Sequence, residues 1–431
     1  MFGKMKAITI LALLAIVAGC AVQKDKNKRL TDYVNPFIGT TTLWDSIDLG
    51  YNPTRRAWGA ETFPGASLPN SMVQVTPVTM WRSGSGYQYE DTIIHAFVHT
   101  SKGHWNLCYV PLIAVSGYVE PKSYYTGYSH DNESASPGYY QVYLKKYDIN
   151  AEVTSSLRCG YHKYTYKNGK EKKLLVDLSH SNEHIRSWNI EKAGDNVFSG
   201  YQQTGPTFYF YAVTNHKIKD IESLKDGDTE VRIVNFINNE NINDPLEMKV
   251  GFSYVSVENA KKNLEAEILK KDFEQVRNEA SDTWEGLLSK IQVSGGTEIQ
   301  KETFYSALYK AFLWPILLSD VNGEYVDAKG EVVNKGFRYY SEPSFWDDYR
   351  NKLILLGMVS PDVTADVIKS ITDYGEIRGF MPRFFHGDHA SVFVTGSYLR
   401  GIHDFDVQKA YKILLNNAFA EGKGSRPHIK E

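Results

Sequence analysis

Apolar residues in this chain follow one spacing up to about Val257 and another from Ala260 onward, and that switch limits what the chain can build. Between Tyr33 and Val257, short runs rich in β-branched and aromatic residues, such as Gln141–Tyr143, Tyr161–Tyr166, Thr207–Thr214, Glu230–Ile237 and Leu246–Val257, alternate with turn sequences. Ser136-Pro137-Gly138, Lys167-Asn168-Gly169 and Asp226-Gly227-Asp228 are examples of those turns. Many short strands punctuated in this way predict a large antiparallel β-sandwich. From Ala260 to Ile291, charged and apolar residues recur at helical spacing with no Pro and no Gly before Gly286, which predicts one long linking helix or two. Helical patterns continue at Glu298–Leu318, after Ser360-Pro361-Asp362 (an N-cap Ser with Pro at the first helical position), at Val392–Arg400 and at Val407–Ala420. Helices separated by Gly- and aromatic-rich loops predict a toroid whose loops form a site at one mouth. About five such helices precede Glu431, so the expected ring is a truncated one with apolar faces uncovered. A length of 431 residues already exceeds one ordinary core. The expected division is a β-sandwich over 32–258, linker helices over 259–296 and a partial helical domain over 297–431.

The first twenty residues read as a lipoprotein signal peptide. Lys4 and Lys6 form a positive start, Ile8 to Val17 an apolar stretch too short to span a bilayer, and Val17-Ala18-Gly19-Cys20 resembles a bacterial lipobox. Cys20 is then the expected lipidation site, with residues 21–31 as a polar tether. The expected location is the bacterial cell envelope: the outer membrane, facing the periplasm or the exterior, with the membrane as a partner through the lipid. Lys+Arg 48 against Asp+Glu 51 gives a formal charge of −3, so no basic field points to nucleic acid. Cys108 and Cys159 fall in strand-like segments, where a disulfide is allowed and not required. No CxxC, zinc-spaced Cys/His set, P-loop or GxGxxG motif supports metal binding by thiolates or nucleotide binding by a glycine loop.

The run Ser344-Phe345-Trp346-Asp347-Asp348-Tyr349-Arg350 combines three aromatics, two carboxylates and a guanidinium. Sugar sites use that mixture: ring faces stack on the C–H faces of pyranoses, carboxylates accept from hydroxyls, and Arg donates a rigid fork. If Trp346 opens a helix, Asp347 and Arg350 lie three apart on one face. The competing reading is a surface ion pair beside a core Trp. A Tyr count of 29 suits a sandwich core and a carbohydrate cleft equally.

These residues sit among others in the order of a known family. They include Asp32-Tyr33-Val34-Asn35-Pro36-Phe37-Ile38-Gly39-Thr40, Thr62-Phe63-Pro64-Gly65-Ala66-Ser67-Leu68-Pro69, Ser85-Gly86-Tyr87-Gln88-Tyr89, Phe97-Val98-His99-Thr100 and Ser136-Pro137-Gly138-Tyr139-Tyr140. Phe304-Tyr305-Ser306-Ala307-Leu308-Tyr309 and Ser319-Asp320-Val321-Asn322-Gly323 lead on to Trp346-Asp347-Asp348-Tyr349-Arg350. The chain resembles glycoside hydrolase family 92, calcium-dependent inverting exo-α-mannosidases with a β-sandwich, linker helices and an (α/α)6 barrel. The resemblance implies an α-mannosyl glycan as partner, such as an N-glycan or mannan. It implies Asp347 and Arg350 as sugar contacts, with Trp346 either platform or core. It also brings in the sandwich loops, with Phe63, Trp81 and His99 as candidates, and His386, Asp388 and His389 from the Gly379–His389 segment. Gly387-Asp388-His389 lies on the family's G-x-H element and no Glu occupies the position of its general acid, which leaves Asp388 as either a substitute acid or a hydroxyl-binding group. The departures are a long Thr41–Ala60 stretch carrying Trp44, Tyr51, Arg55, Arg56 and Trp58, and Ser101-Lys102-Gly103-His104 in place of the family's H-L-S-G pattern. The resemblance places the base and the principal calcium ligands downstream of this sequence, so only the N-terminal portion of the family is expected here. That leaves three readings: an α-mannosidase represented by that portion, a non-catalytic mannose- or glycan-binding envelope lipoprotein, or an inactive truncated remnant.

Overall fold

The computed structural model describes residues 28–42, 62–102, 105–167, 169, 171–237, 244–383 and 387–419. The strands form two large antiparallel sheets. One has seven strands, in the order Ala66–Ser67, Gln74–Val78, Ala96–Val98, Leu112–Val115, Lys173–Val176, Thr229–Phe236 and Ile218–Asp226. The other has eight, in the order Ser187–Gly194, Val197–Gln203, Thr207–Thr214, Leu246–Ser253, Cys159–Tyr166, Ile149–Ser155, Tyr139–Leu144 and Glu133–Ser136. Period-2 sequence becomes period-2 burial: along Thr207–Thr214, Phe208, Phe210, Ala212 and Thr214 are buried, and the residues between them are half-exposed. Cys108 and Cys159 are free thiols in separate apolar clusters, one beside Val78 and Val98, the other beside Tyr161 and Leu264.

The linking segment is two helices, α1 (Val257–Glu267) and α2 (Phe273–Leu288). The break falls where Asp272 caps α2 in a reciprocal box with Gln275. Helix α1 lies directly on the eight-stranded sheet, and Gly251 permits this: a Cβ there would stand 2.2 Å from the Ala260 carbonyl oxygen. Helix α2 ties the sheets to the helical domain. Trp284, fully buried, donates from Nε1 to the Ser67 carbonyl at 2.7 Å and lies 4.3 Å (ring centroids) from Tyr309 of helix α3 (Glu298–Ala311). One apolar core therefore runs from the sandwich into the helices.

The predicted helix over Glu298–Leu318 stops at Ala311, and the next residues run without helical structure toward Pro315, whose ring disfavours helix in the residue before it. Helices α4 (Phe345–Asp348), α5 (Lys352–Val359), α6 (Pro361–Arg378), α7 (His389–Leu399) and α8 (Val407–Phe419) complete the described chain. Pro361 occupies the first turn of α6, as predicted. The outer faces of α5, α7 and α8 leave Met358, Leu399, Tyr411 and Phe419 exposed. The architecture is the expected one: an antiparallel β domain, linking helices, then a helical domain. Among the described residues no helix is long and apolar enough to cross a membrane. The signal segment with Cys20, the Thr41–Ala60 stretch from residue 43 on, His104 and His386 lie outside the described residues.

Candidate active site

A cleft of about 360 Å³ opens where the sandwich loops meet the helices. Ile38, Gly39, Thr62 and Phe63 form the sandwich wall, while Ala307 and Lys310 of α3, Trp314, Asp347, Asp348 and Lys352 form the helical one. A second hollow of about 430 Å³ is bordered by Arg158 and Asp320. Its polar groups are already engaged: Arg158 donates to Glu267 and to the Ser319 carbonyl, and Asp320 accepts from Ser253, Asn259 and Asn263. The first cleft holds polar groups with capacity left for a ligand.

Helix α4 is a single turn that delivers two carboxylates to this cleft in different states. Asp347 is exposed, and its Oδ2 accepts from Ser344 Oγ at 2.7 Å. Asp348 is paired with Lys352 at 2.9 Å, the two side chains only 14% and 17% exposed. Burial pushes the Lys352 ammonium down from its ordinary pKa, and the neighbouring Asp348 and Asp347 partly offset this. Across the cleft, Lys310 Nζ donates to the Pro36 carbonyl at 2.9 Å and to Thr62 Oγ1 at 3.0 Å. Burial alone lowers its pKa to about 7. The cleft thus presents a free acceptor, a neutralised ion pair and a donor, backed by the nearly buried rings of Phe63 and Trp314.

Several expected contacts lie elsewhere. Arg350 does not line the cleft that Asp347 lines; α4 ends at Asp348 and Asn351 caps the next helix. The guanidinium instead lies 4.9 Å from the ring of Tyr349. Trp346 is 45% exposed, so it is not a core residue, and Asp347 does not pair with Arg350; the surface-ion-pair reading fails with it. His389 packs at a tilt against Tyr349 with ring centroids 4.2 Å apart and meets Trp346 edge-on at 6.3 Å, so the structure brings these three rings together beside α4. Asp388 is the N-cap of α7: its carboxylate accepts from the Ser391 amide and hydroxyl and from Asn417 Nδ2 at 3.0 Å. Those bonds give it a structural task, and it does not line the cleft.

His99 is fully buried within the sandwich, with Nδ1 on the Val110 carbonyl and Nε2 on His162 Nε2, both at 3.0 Å. Burial pushes its pKa down to about 3, which keeps the ring neutral. It is not a cleft residue: it follows directly on the strand Ala96–Val98 and its ring is buried against Val110 and His162. Trp81 is packed between His95 and His180 at 5.9 and 5.6 Å and also lies off the cleft. Phe63 is the one sandwich candidate that lines it. Lys310, Lys352 and Asp348 were not predicted; Thr303, Ala307 and Lys310 share one face of α3 at helical spacing, a pattern visible in the sequence. Among the described residues, no group of three or more His, Cys, Asp or Glu side chains converges to hold a metal ion, so no calcium ligands are assigned.

Residues 33–265 match the glycosyl hydrolase family 92 N-terminal domain, and residues 259–430 match that family's catalytic domain. The expectation that only the N-terminal portion of the family is represented is therefore corrected, since the catalytic-domain match runs to residue 430. No functionally curated protein matches the sequence. Among solved structures, the fold is similar to the family GH92 alpha-mannosidase BT3965 of Bacteroides thetaiotaomicron, with 25% identity, a TM-score of 0.82, and coverage of 92% of this chain and 58% of that one. The same enzyme is known in complex with mannoimidazole. The inverting mannosidase BT2199 of the same organism shares the fold at 22% identity and a TM-score of 0.81, over 93% of this chain and 57% of that one. The chain thus spans a little over half the length of these relatives. It belongs to glycosyl hydrolase family 92.

Proposed function

We propose that this protein acts on terminal α-mannose of glycans such as N-glycans or mannans, releasing mannose from the chain end with inversion. We also propose that lipid at Cys20 holds it at the bacterial envelope. The observation that carries the reading is the exposed Asp347 carboxylate, oriented by Ser344 in a cleft of about 360 Å³ with Phe63 on the facing wall. That volume suits a single hexose ring with its first substituent. A carboxylate with spare lone pairs accepts from sugar hydroxyls, while Phe63 and Trp314, 1% and 4% exposed, back the cleft without offering a ring face for stacking. Asp347 is assigned to hydroxyl binding. Asp348 is neutralised by Lys352, and the Asp388 oxygens are taken up in capping α7. Inversion requires an acid and a base with carboxyl groups roughly 6.5–9.5 Å apart, and its signature is the anomer released first.

The test is a proton NMR time course on methyl α-D-mannopyranoside or an α-linked mannobiose with the purified protein. β-Mannose must appear first; α-mannose as first product, or no mannose at all, refutes the reading. Asp347→Ala should abolish sugar binding and leave the unfolding transition in place, because the carboxylate is exposed and its described hydrogen bond is to Ser344.

A further inference from the structure

We propose that Lys310 touches the ligand directly and selects for a hydroxyl group at the position it meets. This deepens the reading of the cleft as a monosaccharide site and rests on it. An ammonium has three N–H groups. Pro36 O and Thr62 Oγ1 take two of them, at 2.9 and 3.0 Å, and among the described residues no third acceptor is present. Both partners are neutral oxygens. Within the same cleft, Lys352 has a carboxylate at 2.9 Å, whereas Lys310 has none. Its nitrogen is held on the sandwich wall by Pro36 and Thr62, whereas Asp347 and Asp348 belong to α4. A half-buried amine on a cavity wall, anchored on one side only, is a group with capacity reserved for an occupant.

The anchoring determines the chemistry of that occupant. When protonated, Lys310 keeps two N–H groups on Pro36 and Thr62 and presents the third as a donor. When neutral, it keeps the same two bonds and presents its lone pair as an acceptor. A hydroxyl satisfies either state by rotating its own hydrogen, a carboxylate or phosphate satisfies only the first, and a C–H satisfies neither. Because the amine titrates near neutral pH, the ligand class that fits throughout is a neutral polyol, and the deoxy analogue lacking that hydroxyl is rejected. The other charged groups lining the cleft are Asp347, Asp348 and Lys352.

The probe is methyl 1-thio-α-D-mannopyranoside, a mannoside whose C–S bond resists hydrolysis, titrated calorimetrically into wild type and Lys310→Met at pH 6 and pH 9. A charged hydrogen bond is worth about one to two decades of affinity, so Lys310→Met should bind roughly ten- to a hundredfold more weakly. Wild type should weaken severalfold between pH 6 and pH 9 as the bond loses its charge assistance, and the variant should show no such change. A purely structural tether would not move the pH profile in this way. A second measurement needs no variant: saturating sugar should slow acetylation of Lys310 by acetic anhydride in the native protein, read by mass spectrometry. If wild type binds the sugar and Lys310→Met binds within threefold, or if the sugar leaves Lys310 acetylation unchanged, the role of Lys310 is refuted while the site stands. If wild type binds no mannoside, the monosaccharide reading fails and this inference falls with it.

Discussion

Asp348→Ala leaves a cation stranded at the edge of the cleft, and the cost is set by the geometry of its partner. Lys352 and Asp348 meet at 2.9 Å with side chains 17% and 14% exposed. A hydrogen bond to a charged group contributes about 1.5–3 kcal/mol net, and stranding one member of a fully buried pair costs about 3–5 kcal/mol. With roughly a sixth of each side chain open to water, the expected loss for Asp348→Ala is about 2–3 kcal/mol. Lys352→Met together with Asp348→Ala removes the stranded ammonium while keeping its apolar stem, and should recover about 1–2 kcal/mol of that loss. The pair should therefore show a coupling energy of about 1.5–3 kcal/mol in a double-mutant cycle, measured by urea unfolding at low salt.

The pH dependence supplies an independent sign. Lys352 titrates below its ordinary value in the folded protein because burial disfavours the charge, and Asp348 counteracts that. A lysine with a depressed folded pKa binds fewer protons folded than unfolded, so stability rises with pH between the folded and unfolded values. Removing Asp348 lowers the folded value further and widens that window downward. Asp348→Ala should therefore gain stability from neutral pH toward pH 10 more steeply than wild type, and the double variant should lose this component. A double variant no more stable than Asp348→Ala would show that the ammonium is not stranded and would refute the reasoning.

The buried His99–His162 pair makes a second pH prediction. Burial pushes His99 down to about 3 and His162 well below its ordinary value, so both stay neutral in the fold while the unfolded chain protonates below about 6.5. Stability should thus fall as pH drops from 6.5 toward 5, by up to about 2 kcal/mol per histidine at the ideal slope of 1.36 kcal/mol per pH unit. His99→Gln with His162→Gln should flatten that fall; an unchanged slope would place the protons elsewhere. Cys20→Ala should shift the protein from the membrane to the soluble fraction of bacterial lysates, and unchanged fractionation would rule out the lipid anchor.

How far the sequence specifies each feature depends on the range over which that feature is decided. The strand-to-helix switch near Val257 was legible because burial period is a local property: alternation along Thr207–Thr214 is already present in the residues themselves. Helix ends were legible where a cap or a proline marks them, as at Pro361, and misjudged where the stop lies further along, as with Pro315 beyond Ala311. The motif Trp346-Asp347-Asp348-Tyr349-Arg350 shows the limit. Helical spacing alone puts Asp347 and Arg350 together, but Asn351 caps α5 and the chain leaves α4 after one turn, so the carboxylate reaches the cleft and the guanidinium does not.

The lysines mark the deeper limit. Helical spacing places Lys310 on one face with Thr303 and Ala307, but nothing local shows that Lys310 or Lys352 is desolvated, because the segments that bury Lys310 include ones far away in sequence. Pro36 and Thr62 lie 274 and 248 positions before Lys310. The converse holds for His99, whose family motif was conspicuous and whose ring is nevertheless sealed between sheets by Val110 and His162. A motif records which residues belong together in a family. Which of them line a cleft is set by the contact between the two domains, and in this chain that contact brings Phe63 and Asp347 from the motifs together with Lys310 from outside them.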